Sequence, residues 1–427
     1  MMWRSPHRHE QNYDVVVCGG GAAGVGAAVG AARAGARVCL VEKYGFLGGA
    51  ATTAQVLAYC GFYQQGAKPV AAVGGVGAEL LASLSKNGLD TTPFCSETTG
   101  NWIVRIEPEL LKLTMDDLLV RHGVDVQLHT RVAAATRTGE RIEAVTLAGM
   151  EGRWHAVADA FVDASGDANL AMLAGVPFRI GDREGLLQAT TLPMRIGGVL
   201  PEVLIDRPAL CAAVARYNEG GQFPISRSDG GIMFRLPVSN DIWWMAVDLP
   251  LAEVSSRCFT ALEMKGRAMA NDYVHMLRKH MPGFANAYLV ATGPQIGVRE
   301  TRHPAARYEM TLADATQGKT SDDAVARAAW PIELHTQPGR PTYTPLGGAG
   351  YFHVPYDAIS AAGIENLWYG GRVIGADPDA YASVRVMGTA FATGEAAGVS
   401  AVDYIESNHL RNARTVANRL RANGAIV

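Results

Sequence analysis

A short stretch near the N-terminus constrains this chain more than any other: Tyr13–Gly24, YDVVVCGGGAAG. Tyr13 to Cys18 is a valine-rich apolar run, which suits a strand buried on both faces. Gly19, Gly21 and Gly24 follow with G-x-G-x-x-G spacing. Val25 to Ala34 are nearly all small and helix-compatible, Gly35 closes that helix, and Arg37–Val41 (RVCLV) reads as a second buried strand. In a strand–turn–helix–strand unit of this kind the first glycine permits the tight turn. The second lets backbone approach a pyrophosphate, and the third lets the helix pack on the strand. Glu42 ends the second strand about 18 residues beyond Gly24, where an acid can accept from ribose hydroxyls. The full context favours a bound dinucleotide over a glycine-rich turn with no ligand.

With 427 residues the chain is too long for one ordinary domain and suits two or three modules. Hydrophobic residues make up 48% of it, enough for a large core. A net charge of −3 with no basic stripe argues against nucleic acid as the main partner. Cys18, Cys39, Cys60, Cys95, Cys211 and Cys258 form no C-x-x-C pair, and two lie inside expected core strands. That pattern argues against a disulfide framework, an iron–sulfur cluster or a zinc site, so no metal is expected. The lead-in MMWRSPHRHEQN has no apolar segment, and no 18-residue apolar run occurs elsewhere. The expectation is a soluble cytoplasmic protein with no membrane span. His7 and His9 read as part of a disordered lead-in, and homo-oligomerisation is left open.

Further along, Gly48 and Gly49 form another glycine turn, and Ala50–Ala54 offers small residues able to pass close to a ligand. Tyr59–Gly66 reads as an aromatic mobile loop and Gly74–Leu84 as a helix. Within Glu107–His122, Leu110, Leu111, Leu113, Met115, Leu118 and Leu119 recur at helical spacing, with Pro108 suited to the first turn and Gly123 to the C-terminal cap. Val124–Leu128 then reads as a strand of the same parallel sheet. Val132–Thr136, Arg141–Leu147 and Arg153–Ala158 read as a small meander. Ala160–Ala164 reads as a separate short strand, followed by the helical run Ala168–Ala174. Beyond Val176, Met194–Val199, Met233–Val238 and Ile242–Val247 resemble antiparallel strands, Arg257–Lys279 a long helix, and Ala313–Ala329 a loop then a helix. The chain returns through a glycine loop at Pro345–Gly350, an extended Phe352–Tyr356, a buried strand Asn366–Gly370 and one helix, Ser383–Ile405, dense in small residues. Small residues let the first turns of that helix approach a flat ring, and its N-terminus carries positive partial charge.

Five blocks carry a family resemblance: DVVVCGGGAAG, EKYGFLGGAAT, FVDASGDANLAMLAG, GVRETR, and NLWYGGRVIG with SVRVMGTAFATGEAAG. Through them the chain resembles the FAD-dependent oxidoreductases with a glutathione-reductase-like nucleotide fold. Within these it resembles the group related to the heterodisulfide reductase flavin domain and, more distantly, to succinate dehydrogenase and fumarate reductase flavoproteins. Residues 176–290 match least. The resemblance implies an α/β fold, a Rossmann-like ββα-type three-layer FAD-binding domain with an inserted α+β substrate domain. The expected division is residues 1–175, the insertion 176–344, and the return 345–427.

The resemblance also implies roles. Gly19, Gly21 and Gly24, with Ala22 and Ala23 between them, would line the pyrophosphate. Glu42 would hold the adenosine ribose, with Lys43 beside it, and Gly48, Gly49 and Ala50 would face the ribityl chain or flavin. Val132 would contact adenine through its backbone. Ala164, Ser165, Gly166 and Asp167 would form a turn near the adenine and pyrophosphate, and Gly371 and Arg372 would close over the pyrophosphate end. Val386, Met387 and Gly388 would sit under the flavin pyrimidine. Two departures stand out. Asp377 and Pro378 occupy places where relatives often carry serine and histidine. No histidine suited to a covalent flavin bond follows Gly49, so FAD is expected to be non-covalent.

In such a protein the flavin carries the redox step, and side chains position substrate and move protons. His353, Tyr356, Asp377, Asp379 and Tyr381 flank the expected flavin blocks. His353 ranks first because histidine titrates near neutrality; the competing reading is a histidine bonded to backbone. Asp377 and Asp379 have a competing reading as caps of a turn around Pro378. Arg299, Arg302 and His303 could bind a carboxylate. A helix over 299–303 would set all three on one face, whereas a strand would separate Arg302 from the others. The competing reading is an ion pair with Glu300 or Glu309. Cys60 could be a lone redox thiol, and Trp243–Trp244 reads as core. The leading function is a FAD-dependent dehydrogenase or reductase acting on a small organic, carboxylate-bearing molecule, with a separate electron acceptor or donor. Flavin monooxygenase and electron-relay subunit are the alternatives. The first is weakened by the lack of an aromatic-hydroxylase Gly-Asp block, the second by the lack of cluster cysteines.

Overall fold

The computed structural model describes residues 10–96 and 99–427; His7 and His9 lie outside them. Strand β1 (Glu10–Cys18) leads through the glycine turn into helix α1 (Ala22–Arg33) and strand β2 (Val38–Val41). β1 and β2 pair in parallel from Val15↔Val38 to Cys18↔Val41. Val15, Val16 and Val17 are fully buried, as a strand covered on both faces requires. Helix α2 (Pro108–Arg121) precedes β3 (Asp125–Gln127), which adds in parallel to the free edge of β2.

Next come β4 (Arg131–Thr138), β5 (Arg141–Gly149) and β6 (Gly152–Asp163). The sequence suggests two strands where β6 is one continuous strand of 12 residues. Its first half alternates exposed and buried side chains, and its last residues are buried without a break. That change marks where the strand passes from the meander's edge into the centre of the sheet. β6 pairs antiparallel with β5 and in parallel with β1. The resulting order is β3-β2-β1-β6-β5-β4.

A separate antiparallel sheet follows: β7 (Met194–Gly197), β8 (Ile232–Arg235), β9 (Ile242–Met245) and, after helix α3 (Ser256–His280), β10 (Tyr288–Thr292). Its order is β8-β9-β7-β10. Trp244, Tyr273 and Leu277 are buried in its own core, built from residues between 187 and 298, whereas the core around the parallel sheet draws on 15–176 and 310–420.

Two further expected elements differ. Residues 313–329 form a helix and then a strand, where a loop and then a helix is expected. A capping box, in which Thr311 Oγ1 accepts from Asp314 N–H and the Asp314 carboxylate from Thr311 N–H, starts the helix Leu312–Gln317. Gly318 ends it in the left-handed region at φ 61°, and Ala324–Ala328 then pairs with Phe352–Pro355. After β11 (Ile332–Leu334) and β12 (Leu367–Tyr369), which joins β6 in parallel, the expected single helix over Ser383–Ile405 is two. They are α4 (Pro378–Val384) and α5 (Met387–Glu406), with Val386 extended between them at ψ 155°. Asp377 caps α4 by accepting from Ala380 N–H at 2.8 Å.

Helices α1 and α5 touch through backbone. A Cβ on Gly394 would stand 2.0 Å from the Ala23 carbonyl oxygen, and one on Gly398 2.0 Å from that of Ala27. Gly26 and Gly30 face Phe391 and Glu395 in the same way. Both numberings rise together, so the helices run parallel and present their N-termini at one end. Among the described residues no helix is long and apolar enough to cross a membrane.

Candidate active site

Both N-termini open on a cavity of about 400 Å³, lined by Gly21, Ala22 and Ala23 from α1 and by Val386, Met387 and Ala390 from the start of α5. Helix α1 has neither a side-chain cap nor an acid in its first turn. Its first N–H groups are therefore oriented for an anion supplied from outside the chain. The turns at Gly21 and Gly49 lie so close that a Cβ on Gly49 would stand 2.8 Å from the Gly21 Cα. Glu42 accepts from Gly20 N–H at 2.7 Å through one oxygen and from Tyr44 N–H at 3.0 Å through the other. Each oxygen keeps a lone pair for a further donor.

Of the residues expected to hold FAD, Gly19, Gly21, Ala22, Ala23, Glu42, Lys43, Gly49, Ala50, Ala164, Ser165, Gly166, Asp167, Gly371, Arg372, Val386 and Met387 line this cavity. Val132 lines a smaller recess that shares Gly19, Glu42, Lys43 and Ser165 with it. Gly24, Gly48 and Gly388 stand behind the surface. A Cβ on Gly24 would meet the Gly19 carbonyl, one on Gly48 the Thr52 side chain, and one on Gly388 the backbone of Cys60–Phe62. Arg372 pairs with Asp167 at 2.7 Å and donates to the Val298 carbonyl. An uncapped helix start, an acid beside it and a glycine cradle that side chains would fill together fit a dinucleotide such as FAD.

The same cavity is also lined by Trp243, Met245, Phe259, Arg299, Trp330, Glu333, His335, Tyr343 and Arg385. Glu333 in β11 and His335, one residue past its end, are two apart, the spacing that sets side chains on one side of extended backbone. Glu333 Oε1 accepts from His335 Nε2 and from Tyr343 OH, each at 2.9 Å, and its Oε2 accepts from Trp330 Nε1 at 2.8 Å. Burial alone would raise the Glu333 carboxyl. The hydrogen bonds from His335 and Trp330 and the Arg385 charge outweigh it and hold the group well below the usual carboxylate range. Burial, then the Arg299 charge, push the His335 imidazole down to about 4. The pair is an ionised glutamate beside a neutral histidine.

Backbone contacts tie this pair to α5. Arg385 Nη2 donates to the Glu333 carbonyl at 2.9 Å, and Ser383 Oγ donates to the Trp330 carbonyl. Arg385 Nε is buried with no protein partner. Arg299 is buried, donates to the Ala189 carbonyl and lies 3.8 Å from Asp248; burial lowers its pKa despite that carboxylate.

The expected catalytic residues fall elsewhere, and none of His353, Tyr356, Asp377 and Arg302 lines the cavity. His353 backs onto the chain at Ser321, whose N–H donates to its Nδ1 at 3.0 Å. Tyr356 is buried behind β12, where its hydroxyl accepts from Trp368 Nε1 at 3.4 Å. Asp377 is engaged through both oxygens as the α4 cap and as acceptor for Leu312 N–H. Asp379 sits in the first turn of α4, and Tyr381 OH donates to the Arg299 carbonyl at 2.7 Å. The segment expected to form a helical clamp is a strand over Arg302–Pro304, which sends Arg302 away from Arg299. Arg302 Nη1 donates to the Asp167 carbonyl at 3.0 Å, and His303 pairs with Glu300 at 2.8 Å. Arg299 alone of the three lines the cavity.

Cys60 also lines it, but burial pushes its thiol well up, so it is not a thiolate. Trp244 is core, whereas Trp243 is both buried and part of the lining, with Nε1 donating to the Gln55 carbonyl at 2.7 Å. Sequence reasoning did not single out Glu333, His335, Tyr343 or Arg385. The one available signal was Glu-x-His at strand spacing.

No curated protein matches the sequence. Among solved structures it is similar to a geranylgeranyl bacteriochlorophyll reductase-like protein from Thermoplasma acidophilum, with 13% identity, 97% of this chain and 84% of that one covered and a TM-score of 0.48. It is also similar to p-nitrophenol 4-monooxygenase from Pseudomonas putida DLL-E4, with 10% identity, 97% and 84% covered and a TM-score of 0.47. Residues 14–420 match the family described as FAD dependent oxidoreductase. The match spans nearly the whole chain, and the protein belongs to the FAD-dependent oxidoreductase family.

Proposed function

We propose that this FAD-dependent oxidoreductase is a dehydrogenase or reductase of a small organic molecule with an apolar body and a carboxylate. The observation that carries the reading is the pairing of Arg299 and Arg385 in the wall of a cavity otherwise rich in aromatic side chains. Arg385 keeps a buried Nε–H without a partner, and a planar guanidinium is well matched to a carboxylate. Trp243, Phe259 and Trp330 would pack the apolar body. Non-covalent FAD would be held by Gly19–Ala23, Glu42, Gly49, Ser165–Asp167, Gly371–Arg372 and Val386–Met387. Bound FAD supplies two-electron redox chemistry, and the chain supplies orientation, exclusion of water and proton handling.

Kinship with the heterodisulfide reductase flavin domain rests on the five sequence blocks, and the electron acceptor or donor is a separate molecule. We place the insertion at residue 176 as expected but begin the return near residue 310, because Met310 and Ala315 pack in the larger core.

The test is anaerobic bleaching of the bound flavin by small 2-hydroxy, 2-amino and saturated dicarboxylic acids, beside reoxidation of dithionite-reduced protein by unsaturated acids. Free acids should react and their methyl esters should not. Esters reacting equally well would refute the carboxylate. Oxygen uptake with a hydroxylated product would identify a monooxygenase, and turnover confined to preparations containing a co-purified partner would identify an electron relay.

A further inference from the structure

We propose that His335 is the catalytic residue that takes the substrate's proton during oxidation and returns it during reduction, with Glu333 as the positioning residue that fixes which of its nitrogens is free. The proposal rests on reading the Arg299–Arg385 end of the cavity as the substrate site.

Three observations carry it. First, His335 is the one imidazole among the described residues lining the cavity. Second, its tautomer is fixed. An ionised carboxylate only accepts, so the 2.9 Å contact to Glu333 places hydrogen on Nε2 and leaves the lone pair on Nδ1. Glu333 is itself held by Trp330 Nε1 and Tyr343 OH. Third, the imidazole is rigidly mounted. Its backbone N–H donates to Gln188 Oε1 at 3.2 Å, its carbonyl accepts from Ala189 N–H at 2.9 Å, and the preceding strand is tied to the α4–α5 junction through Arg385. That junction opens α5, so the acid–base group and the cofactor end of the cavity share one support.

The charged and titratable groups around His335 are Glu333 and Tyr343 from β11 and its partner strand, Arg299 from the loop before the Arg302–Pro304 strand, and Arg385 from the helix junction. In the free site burial and Arg299 keep the imidazole neutral. A carboxylate bound between Arg299 and Arg385 would offset their charge and raise the basicity of Nδ1 as the substrate arrives. Bound FAD would supply the two-electron acceptor for the substrate's hydride, while His335 Nδ1 would take the substrate's proton, leaving an imidazolium facing Glu333. Reduction reverses both transfers.

The experiment uses holoprotein as isolated and the variants His335→Asn and Glu333→Gln. Flavin content, benzoate affinity from the flavin difference spectrum and single-turnover rates are measured across pH. His335→Asn should keep FAD and bind benzoate within about threefold, yet transfer at least 100-fold more slowly. Glu333→Gln should slow transfer about tenfold and displace the pH profile. Full-rate transfer in His335→Asn, or loss of FAD from it, overturns the proposal while leaving the carboxylate reading intact. Failure of benzoate to bind the parent refutes the carboxylate reading instead. A substrate-free readout then decides the matter: nitrogen NMR of histidine-labelled holoprotein. It should show His335 neutral with hydrogen on Nε2, and its Nδ1 signal should move when FAD is reduced with dithionite. A signal indifferent to reduction, or the opposite tautomer, overturns the proposal.

Discussion

Glu42 Oε2 accepts from the Gly20 N–H at 2.7 Å, so the acid that closes β2 reaches back across the turn that follows β1. One carboxylate thus shapes the glycine turn and keeps lone pairs for a ligand beside it.

Glu42→Ala removes that acceptor and the one serving Tyr44. Hydrogen bonds to a charged group contribute about 1.5–3 kcal/mol each. FAD affinity should fall roughly 10- to 150-fold, measured by fluorescence titration of apoprotein. Circular dichroism should be unchanged, since the sheet pairing of β1 and β2 does not involve this side chain.

Gly394→Ala tests the helix contact. Alanine gains up to about 1 kcal/mol of helix propensity, but its Cβ would lie 2.0 Å from the Ala23 carbonyl, which is backbone and cannot swing aside. Overpacking of this kind costs about 1–3 kcal/mol, so thermal denaturation should show a net loss of stability. Gly220→Ala, with nothing within 4 Å, should be close to neutral.

Arg302→Ala and Arg299→Met should separate two roles. Arg302 supports the turn at Asp167, so its loss should weaken FAD binding and leave benzoate affinity unchanged. Arg299→Met should weaken benzoate binding about 10- to 100-fold, the equivalent of one charge-assisted hydrogen bond, with flavin content maintained. The opposite assignment would return the carboxylate contact to Arg302.

Glu395, buried in α5, makes stability depend on pH. Burial raises its carboxyl to about 7; Val76 N–H and the Arg33 guanidinium 3.6 Å away oppose this, and burial wins. A raised carboxyl pKa means the folded state holds a proton that the unfolded chain has released. Stability should therefore fall as pH rises from about 4.5 to about 7, by up to roughly 3 kcal/mol before relaxation. Denaturant midpoints across that range should slope downward, and Glu395→Gln should flatten them.

The nucleotide half was legible because each element there has a local cause: a valine run for β1, glycines where backbone meets backbone, and an acid at the end of β2. The break between α4 and α5 was not, because Ser383–Ile405 is helix-compatible throughout and only tertiary packing holds Val386 extended. The substrate end was least legible. His353 stands close in sequence to the flavin-associated blocks, yet it turns toward Ser321. Glu333 and His335 have correct strand spacing, but their significance depends on Arg385, about 50 residues further on, and on Arg299. One sequence gives no means of bringing these segments together.

The parallel contact between α1 and α5 steps by four residues on each side, Ala23 to Ala27 against Gly394 to Gly398. It works like the teeth of two meshed racks. A one-residue insertion in either helix would turn everything beyond it by about 100°, replacing every glycine at the contact with a bulkier neighbour at once. Point changes can accumulate gradually around such a seam, but changes of length cannot. The first and last segments of the chain are thus bound to a common register, although more than 350 residues separate them.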